Sequence, residues 1–355
     1  MAPVTGLQDL ATYRSAIERA LDTFFEDSIQ LLGVAQSRHG LQALHRLQEY
    51  CLRPAKRLRG SLGAYTFDTV ADTTCAPAAV QLGVVLELMQ GYLLIVDDAM
   101  DRSVLRRGES TMHELYKSDG LDDHEADMIA INTGLLAQHL ASLELARIDV
   151  PAEALVRATQ VMQRNIALTG LGQLDDISTP IRGDVTEDDI VHKYVQKSSY
   201  YTFVNPLQLG FALAGETDEA VMDACEEFGI AAGIAFQLHD DYLGMFGAAG
   251  TTGKSTLDDL REGKFTLLIQ YALVHAESSE VEVLQSLLGK QDADEAGLHS
   301  VLEILRTSGA EAYCREQAEQ YATVAKKVLK DSQLGTDAYR QVLTDIVDYS
   351  ITREK

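Results

Sequence analysis

Three carboxylates follow an apolar stretch at residues 94–101, LIVDDAMD. On a helix, Asp97 and Asp101 are four positions apart and share a face, with Asp98 beside them. Unit charges about 4 Å apart repel by about 4 kcal/mol at an effective dielectric constant of about 20. The pattern is typical either of a charged helix end in water or of a cation site. Oxygen ligands without histidine or cysteine favour a hard ion, above all Mg²⁺.

Two further clusters combine an amide with a carboxylate. In FQLHDDY, Gln237 and Asp241 are four positions apart, with Asp240 between them. In GQLDD, Gln173 and Asp176 are three positions apart, so they also share a helix face. Each cluster alone fits a solvated helix end as well as a metal site.

Basic residues alternate with these acids along the chain. They are Lys56, Arg57, Arg59, Arg106, Arg107, Lys197, Lys254 and Lys264. Carboxylates bind a phosphate only through a bridging cation, whereas Arg and Lys bind its remaining oxygens directly. Acid pairs interleaved with basic pairs therefore predict a diphosphate pocket. The absence of a P-loop or a G-x-G-x-x-G motif disfavours a nucleotide.

Helical periodicity predicts the elements that position these groups. Apolar residues recur at helical spacing in YRSAIERALDTFFEDSIQLLGVA and AVMDACEEFGIAAGIAFQLHDDYLGMF. We predict an all-α fold of about a dozen helices in a single domain, residues 1–355. Breaks are expected near Pro54, Thr73–Pro77, Pro151, Pro180–Asp184 and Ala248–Gly253, because Pro and Gly interrupt helices.

Composition excludes several classes of protein. Hydrophobic residues make up 46% of 355 residues, enough for a sizeable core. A formal net charge of −24 disfavours general binding to nucleic acid or anionic lipid. The four cysteines form no C-x-x-C pair, and no uncharged apolar run reaches the roughly 18 residues of a membrane span. We therefore expect a soluble, cytoplasmic protein without a membrane span.

With these motifs, the sequence resembles the trans-isoprenyl diphosphate synthases, the polyprenyl synthetase family that includes farnesyl and geranylgeranyl diphosphate synthases. The first aspartate-rich motif, DDxxD, is matched by Asp97, Asp98 and Asp101, and the second by Asp240 and Asp241. The other matches are G-K-x-x-R at Lys56 and Arg59, the His-or-Gln position at Gln90, the paired arginines at Arg106 and Arg107, G-Q-x-x-D at Gly172, Gln173 and Asp176, K-T-x-x-Y at Lys197, Ser198 and Tyr201, and the closing segment at Lys254, Asp259 and Lys264.

The sequence departs from the family pattern at four positions. Ala55 replaces the first glycine of G-K-x-x-R, and Ser198 replaces the threonine of K-T-x-x-Y. Gly244 stands at the third acid of the second motif, and Leu135 stands where many members have Asp. In the family the leading acid of the second motif carries most of the metal contact, so we expect activity to survive.

The resemblance implies a helical bundle around a central cavity and a Mg²⁺-dependent condensation of isopentenyl diphosphate with an allylic diphosphate. It implies three Mg²⁺ ions, two on the first cluster with Asp176 and one on Asp240. The candidate metal ligands are Asp97, Asp98, Asp101, Asp176, Asp240 and Asp241. The implied substrate-binding residues are Lys56, Arg59, Gln90, Arg106, Arg107, Lys197, Ser198, Gln237, Lys254 and Lys264. Lys197, Asp97 and Asp240 are expected to contribute most to the chemistry.

Two residues before the first motif carry a signal of product length. Tyr92 and Leu93 lie five and four positions before Asp97, about 6–8 Å deeper along a helix. In the family, an aromatic at only the fifth position resembles one geranylgeranyl (C20) pattern. Farnesyl diphosphate or a longer product is the alternative. Helix packing or a partner subunit, and not Tyr92, could also form the bottom of the product pocket.

Two alternative functions also remain open, a class I terpene cyclase and a non-catalytic synthase subunit. The resemblance to the family implies a homodimer.

Overall fold

In a computed structural model the described part of the chain, residues 5–182, 185–247 and 256–353, is almost entirely helical. Within these ranges there are sixteen α-helices, one π-helix, one 3₁₀ turn and one two-stranded hairpin. The all-α prediction is confirmed, and several short helices near the C-terminus raise the number above the expected dozen.

The helices run through the described chain in the following order. The first eight are α1 (Thr5–Leu31), α2 (Arg38–Leu52), α3 (Leu58–Ala71), α4 (Pro77–Asp101), α5 (Met112–Ser118), α6 (Asp123–Leu145), α7 (Ala152–Arg182) and α8 (Glu187–Tyr194). A π-helix (Val195–Val204) follows, and then α9 (Asn205–Leu213), α10 (Glu219–Phe246), α11 (Thr256–Glu262), α12 (Leu267–His275), α13 (Ser278–Leu287), α14 (Glu295–Thr307), α15 (Ala310–Asp331) and α16 (Asp337–Thr352). The 3₁₀ turn is Val34–Gln36, and the strands are β1 (Leu105–Arg106) and β2 (Glu109–Ser110).

Prolines mark helix boundaries at three of the predicted breaks, whereas Pro180 lies two residues before the end of α7 and the predicted break at Ala248–Gly253 lies outside the described residues. Pro54 follows the end of α2, Pro77 is the first residue of α4, and Pro151 precedes α7. Proline has no N–H and its ring clashes inside a helix, but the first turn tolerates it because those N–H groups have no intrahelical partner.

The apolar helix that ends in the first acid motif, α4, is a core helix. It packs against α1, α3 and α6. By length and composition it could cross a bilayer, and 67% of its apolar window is buried inside the protein. Glu87 interrupts the apolar run in the sequence, yet it is buried and pairs with Arg57, 3.0 Å from carboxylate oxygen to guanidinium nitrogen. Burial against neighbouring helices therefore accounts for the hydropathy of α4.

A ten-residue π-helix, Val195–Val204, lies between α8 and α9. The Asn205 N–H donates to the Tyr200 carbonyl five residues back, which is the π-helical pattern. Pro206 follows at once and has no N–H to donate. The return to α-helical winding at this position therefore leaves one fewer backbone donor to satisfy.

Glycines on two neighbouring helices make room for the wide π-helix. A Cβ added at Gly172 of α7 would lie 2.3 Å from the Lys197 amide nitrogen. A Cβ added at Gly233 of α10 would lie 2.4 Å from Ser199 Cα. These contacts are with backbone atoms, so a side chain could be accommodated only if the helices moved apart. The glycines thus fix how deeply Lys197 and Ser198 lie between α7 and α10.

A hairpin not foreseen from the sequence follows α4. Its strands pair Leu105 with Ser110 and Arg106 with Glu109. The two turn residues, Arg107 and Gly108, have φ values of 58° and 80°. Two positive φ values in a two-residue loop match the right-handed twist of the flanking strands. The hairpin folds Arg106 back towards the acids at the end of α4.

The contacts of Gly172 generate the first prediction. Gly172→Ala should lower the free energy of unfolding by about 1–3 kcal/mol, because the added methyl group overlaps the π-helix backbone. Gly170→Ala, two residues earlier on the same helix, is the matched control, since a Cβ added there would have no atom within 4 Å. That control should be neutral or stabilising by up to about 1 kcal/mol. Urea unfolding of both variants tests this, and equal midpoints would contradict it.

Candidate active site

The three acids at the end of α4 take different environments. Asp98 is fully buried and faces the core, where it accepts hydrogen bonds from the Tyr50 hydroxyl at 3.0 Å and Arg106 Nε at 2.8 Å. Asp97 and Asp101 lie on the other side of the helix, as their spacing predicts. The structure therefore places Asp98, one of the six candidate metal ligands, away from the other two.

A cavity of about 260 Å³ lies between α4, α7, the π-helix, α10 and the segment before α12. Its polar lining includes the acids Asp97, Asp176, Asp240 and Asp241, the cations Arg106, Lys193, Lys197 and Lys264, and also Ser198 and Gln237. Leu94, Tyr201, Met245 and Ile269 contribute to its apolar lining. The cavity thus brings together residues of both aspartate-rich motifs and of the G-Q-x-x-D and K-T-x-x-Y elements.

Two lysines neutralise the acids on the α4–α7 side of the cavity. Lys197 Nζ lies 3.0 Å from Asp97 Oδ1 and also pairs with Asp176 Oδ2. Lys193 Nζ lies 2.9 Å from the other oxygen of that carboxylate, Asp176 Oδ1. Burial opposes the charge on Asp176, but the two lysines outweigh it and lower its pKa to about 2. For Asp97, burial is likewise outweighed by Lys197, Lys264 and Arg106, so its pKa is below the usual range.

Asp101 has fewer partners than its neighbours. Burial, followed by repulsion from Asp97, raises its pKa to about 6. Within the described residues its Oδ2 atom is buried and receives no hydrogen bond. Lys264 Nζ lies 3.5 Å from this oxygen. A buried carboxylate oxygen without a donor favours occupation of this position by a cation.

The second acid motif is held by residues far away in the sequence. Asp240 pairs with Arg353, whose guanidinium carbon lies 4.1 Å from the centre of the Phe236 ring. Asp241 accepts hydrogen bonds from the Tyr194 hydroxyl and from Gln237 Nε2, the latter at 2.7 Å. Burial raises the pKa of Asp241 to about 6 despite these donors.

The predicted binding residues on α3, on α4 and just before α3 do not line this cavity. Arg59 donates to Thr202 Oγ1 at 2.8 Å and stacks on Tyr201, a cavity residue. Lys56 lies over the Tyr349 ring and lines a separate hollow. Gln90 is buried in α4.

Four other predicted positions lie apart from the described cavity or outside the described residues. Arg107 is exposed at the hairpin turn. Tyr92 and Leu93 are half-buried and pack against the main core, whereas Leu94 lines the cavity. Lys254 lies outside the described residues.

The donor chemistry of the site fits Mg²⁺. The carboxylate and amide oxygens are hard ligands, and an oxygen of Asp101 lacks a hydrogen-bond donor. In the described part of the chain, no three acidic, His or Cys residues are grouped closely enough to hold an ion as they stand. Lys197 and Arg353 instead act as counter-ions. Residues that would hold metal must therefore first release these cations.

Sequence motifs did not single out three residues of the site, Lys193, Tyr194 and Arg353. Lys193 and Tyr194 stand just before Lys197, and a buried lysine and tyrosine there read as ordinary helix residues. Arg353 lies 113 positions after its partner Asp240. A pairing this distant leaves no local sequence signal.

Comparison with known proteins gives a consistent picture. The sequence profile of the polyprenyl synthetase family matches residues 41–305. The geranylgeranyl pyrophosphate synthase of Geoglobus acetivorans is 30% identical over 318 residues, 88% of this chain and 92% of that protein. The geranylfarnesyl diphosphate synthase of Aeropyrum pernix is 29% identical over 300 residues, 84% of this chain and 91% of that protein.

A solved structure is similar over almost the whole chain. It is the crystal structure of geranylgeranyl pyrophosphate synthase from Corynebacterium glutamicum, complexed with isoprenyl diphosphate and magnesium. The TM-score is 0.89 at 27% identity, with 97% of this chain and 99% of that chain covered.

The raised pKa of Asp241 predicts a pH effect on the stability of the metal-free protein. The folded pKa of about 6 exceeds the unfolded value of about 3.9. As pH rises between these values, the unfolded chain loses this proton first, so stability falls. From about pH 5 to about pH 7 the loss due to Asp241 should be about 1 kcal/mol, and Asp241→Asn should remove it.

The measurement is urea unfolding at the two pH values. Asp223→Asn, an exposed position on the same helix, is the control and should keep the wild-type dependence. If Asp241→Asn and wild type lost equal stability, a raised pKa at Asp241 would be excluded.

Proposed function

The chain belongs to the polyprenyl synthetase family and is a trans-prenyltransferase, and we propose that it condenses isopentenyl diphosphate head-to-tail with allylic diphosphates to give geranylgeranyl diphosphate. The observation that carries the proposal is one cavity with an acid cluster on each of two walls and cations among them. A diphosphate is the ligand that such a lining suits, because metal ions bridge it to carboxylates and lysines bind its remaining oxygens.

The C20 product is supported by the relatives. The synthases from Geoglobus acetivorans and Corynebacterium glutamicum carry the geranylgeranyl name. The Aeropyrum pernix relative, which is nearly as similar, carries the geranylfarnesyl name. A longer product is therefore the first alternative, and farnesyl diphosphate is the second.

In the proposed reaction the cavity's cations bind the allylic diphosphate. Arg106, Lys197 and Lys264 line the cavity and would take its oxygens. The Lys197 side chain is 24% exposed, so its ammonium can turn from Asp97 towards an incoming phosphate. Lys56, Arg59, Gln90 and Arg107 are proposed to bind isopentenyl diphosphate, with Arg59 held near the cavity by Tyr201.

Four carboxylates are proposed to hold divalent metal: Asp97, Asp101, Asp176 and Asp240. Bound Mg²⁺ supplies Lewis-acid stabilisation of the negative charge on the leaving diphosphate. The count of three ions remains part of this proposal. Asp98 and Asp241 are excluded from our proposed set, because Asp98 is committed to Tyr50 and Arg106 and Asp241 is committed to Tyr194 and Gln237.

The apolar lining has its own part in the chemistry. Leu94, Tyr201 and Ile269 line the cavity beside the charged groups. Side chains of this kind exclude water, which protects an allylic carbocation from hydrolysis until the alkene attacks. Attack by the alkene leaves a new carbocation, and the departed diphosphate accepts the proton that the carbon next to this cation loses as the product's double bond forms. No side chain is needed as a nucleophile. The chain's contribution is orientation and charge stabilisation.

We also propose a cytoplasmic, single-domain protein that forms a homodimer. Cys51, Cys75, Cys225 and Cys314 are unpaired, which suits a reducing compartment. On α6, Met128, Leu135 and Leu143 are exposed at intervals of seven and eight residues, so they form one stripe along the helix. On α7, Leu171, Leu174 and Ile177 are also exposed. Exposed apolar surface of this extent favours burial against a second copy.

Product analysis tests the activity. Purified protein incubated with Mg²⁺, isopentenyl diphosphate and, in turn, dimethylallyl, geranyl or farnesyl diphosphate should give geranylgeranyl diphosphate by chromatography. Turnover of an allylic diphosphate without isopentenyl diphosphate would instead indicate a cyclase. No product with any primer would indicate a non-catalytic subunit.

In the same assay, Tyr92→Ala should shift the distribution to products longer than the wild type's, because it removes a ring half-buried along the helix below Asp97. Tyr92→Phe keeps the ring and should keep the wild-type product. An unchanged distribution in the alanine variant would reject Tyr92 as the residue that limits product length. Leu94, which lines the cavity, would then be the next candidate.

The proposed dimer predicts that one surface substitution halves the molar mass in solution. Wild-type protein should have twice the chain mass of 38.9 kDa by light scattering after gel filtration. Leu135→Glu should give monomer, since it places a charge within the apolar stripe. Val324→Glu introduces the same charge at a position on α15 that is 49% exposed, and it should remain dimeric. A monomeric wild type would overturn the proposal.

A further inference from the structure

Two adjacent residues at the end of α8 connect both acid clusters to one segment. Lys193 pairs with Asp176 Oδ1 at 2.9 Å and donates to the Phe265 carbonyl at 2.8 Å. The Tyr194 hydroxyl donates to Asp241 and accepts the Leu267 N–H at 3.0 Å. Residues 265–267 lead into α12 and directly follow Lys264, a cavity cation.

The burial of Lys193 separates its role from that of Lys197. Both ammonium groups contact Asp176, one on each oxygen. The Lys193 side chain is only 5% exposed, whereas Lys197 is 24% exposed. An ammonium buried away from water must keep its partners, because an unpaired buried charge is very costly. Lys197 can therefore leave Asp176 for a ligand, while Lys193 stays and holds the carboxylate in place.

Tyr194 acts on the opposite wall in a comparable way. It is 3% exposed, and its hydroxyl has one partner as donor and one as acceptor. With Gln237 bound to the second oxygen of Asp241, that carboxylate is held from both sides. Asp176 and Asp241 are thus both linked to the backbone of residues 265–267, the first through Lys193 and the second through Tyr194.

We propose that Lys193 and Tyr194 are positioning residues that set the separation of the two metal-binding walls and hold Lys264 between them. This inference rests on the proposed prenyl transfer, since it assigns the walls to metal. Neither residue touches substrate in this proposal. They act on Asp176, on Asp241 and on the segment that carries Lys264. Partners of this kind that orient a metal ligand typically change metal affinity or activity by 10–100-fold when they are removed.

The contacts of Lys193 and Tyr194 with Asp176, Asp241 and residues 265–267 are called the clamp below. Hydrogen–deuterium exchange of the metal-free protein tests the clamp without any assay of activity. Tyr194→Phe removes only the hydroxyl, so the Leu267 amide should exchange at least about tenfold faster, because it loses its acceptor. Tyr116→Phe is the matched control: its buried hydroxyl bonds Thr133, and its loss should leave the Leu267 amide unchanged. Wild-type exchange at Leu267 in Tyr194→Phe would overturn the proposal.

Metal titration of the complete enzyme then tests the positioning role. Lys193→Met keeps the length of the aliphatic stem but loses the charge, and it should raise the half-saturating Mg²⁺ concentration by about 10–100-fold. Lys193→Arg should keep the half-saturating Mg²⁺ concentration close to that of wild type, because a guanidinium can still bridge the carboxylate and the carbonyl. A purely structural role would lower thermal stability in Lys193→Met and leave the Mg²⁺ dependence unchanged, which would contradict the proposal.

The two tests fail independently. If wild-type protein made no prenyl product while Tyr194→Phe exchanged faster at Leu267, the clamp would stand and the proposed function would fall. If wild type were active and neither exchange nor Mg²⁺ dependence changed in the variants, the function would stand and the clamp would fall.

Discussion

Neutralisation of buried carboxylates is the constraint on which this site depends. Asp97 and Asp176 are largely buried and could not lie together at one cavity unless each had a counter-charge, since isolated buried charges are too costly. The chain supplies those charges through Lys193 and Lys197, and Arg353 pairs with the more exposed Asp240. The two lysines differ in burial, so Lys197 can be exchanged for ligand and Lys193 cannot. The site thus contains one replaceable cation and one fixed cation on the same carboxylate, Asp176.

The sequence and backbone geometry of the elements around the cavity position these charged groups. The α4 helix is apolar enough to form the protein's centre, and apart from the buried Glu87 its acids lie at the end that reaches the cavity. The π-helix brings Lys197 and Ser198 close to α7 and α10, and it can do so only because glycines face it. A hairpin with a two-residue turn then brings Arg106 back to Asp98. Backbone irregularities and glycines therefore position the charges as much as regular helices do.

The sequence predicted the fold class and the acid clusters because these depend on local spacing. Helical periodicity and proline positions are short-range signals, and Asp97 and Asp101 share a face on any helix. Asp98 shows the limit of such reasoning. Whether it faces the cavity or the core depends on Tyr50 and Arg106, the first of which lies 48 positions away. The contact between Lys193 and Phe265 spans 72 positions, and neither partner has an unusual local context. Likewise Gly172 reads as part of a motif, but its steric reason appears only when the π-helix is placed against it.

The close contact between the π-helix and its glycines has a consequence for directed evolution of this protein. Libraries that randomise whole motifs would waste most of their members at Gly172 and Gly233, where any Cβ meets backbone. Diversity is better directed to Leu94, Met245 and Ile269, which line the same cavity from α4, α10 and α12. Those side chains can change size without separating the helices, so new prenyl acceptors or donors should be sought among their variants.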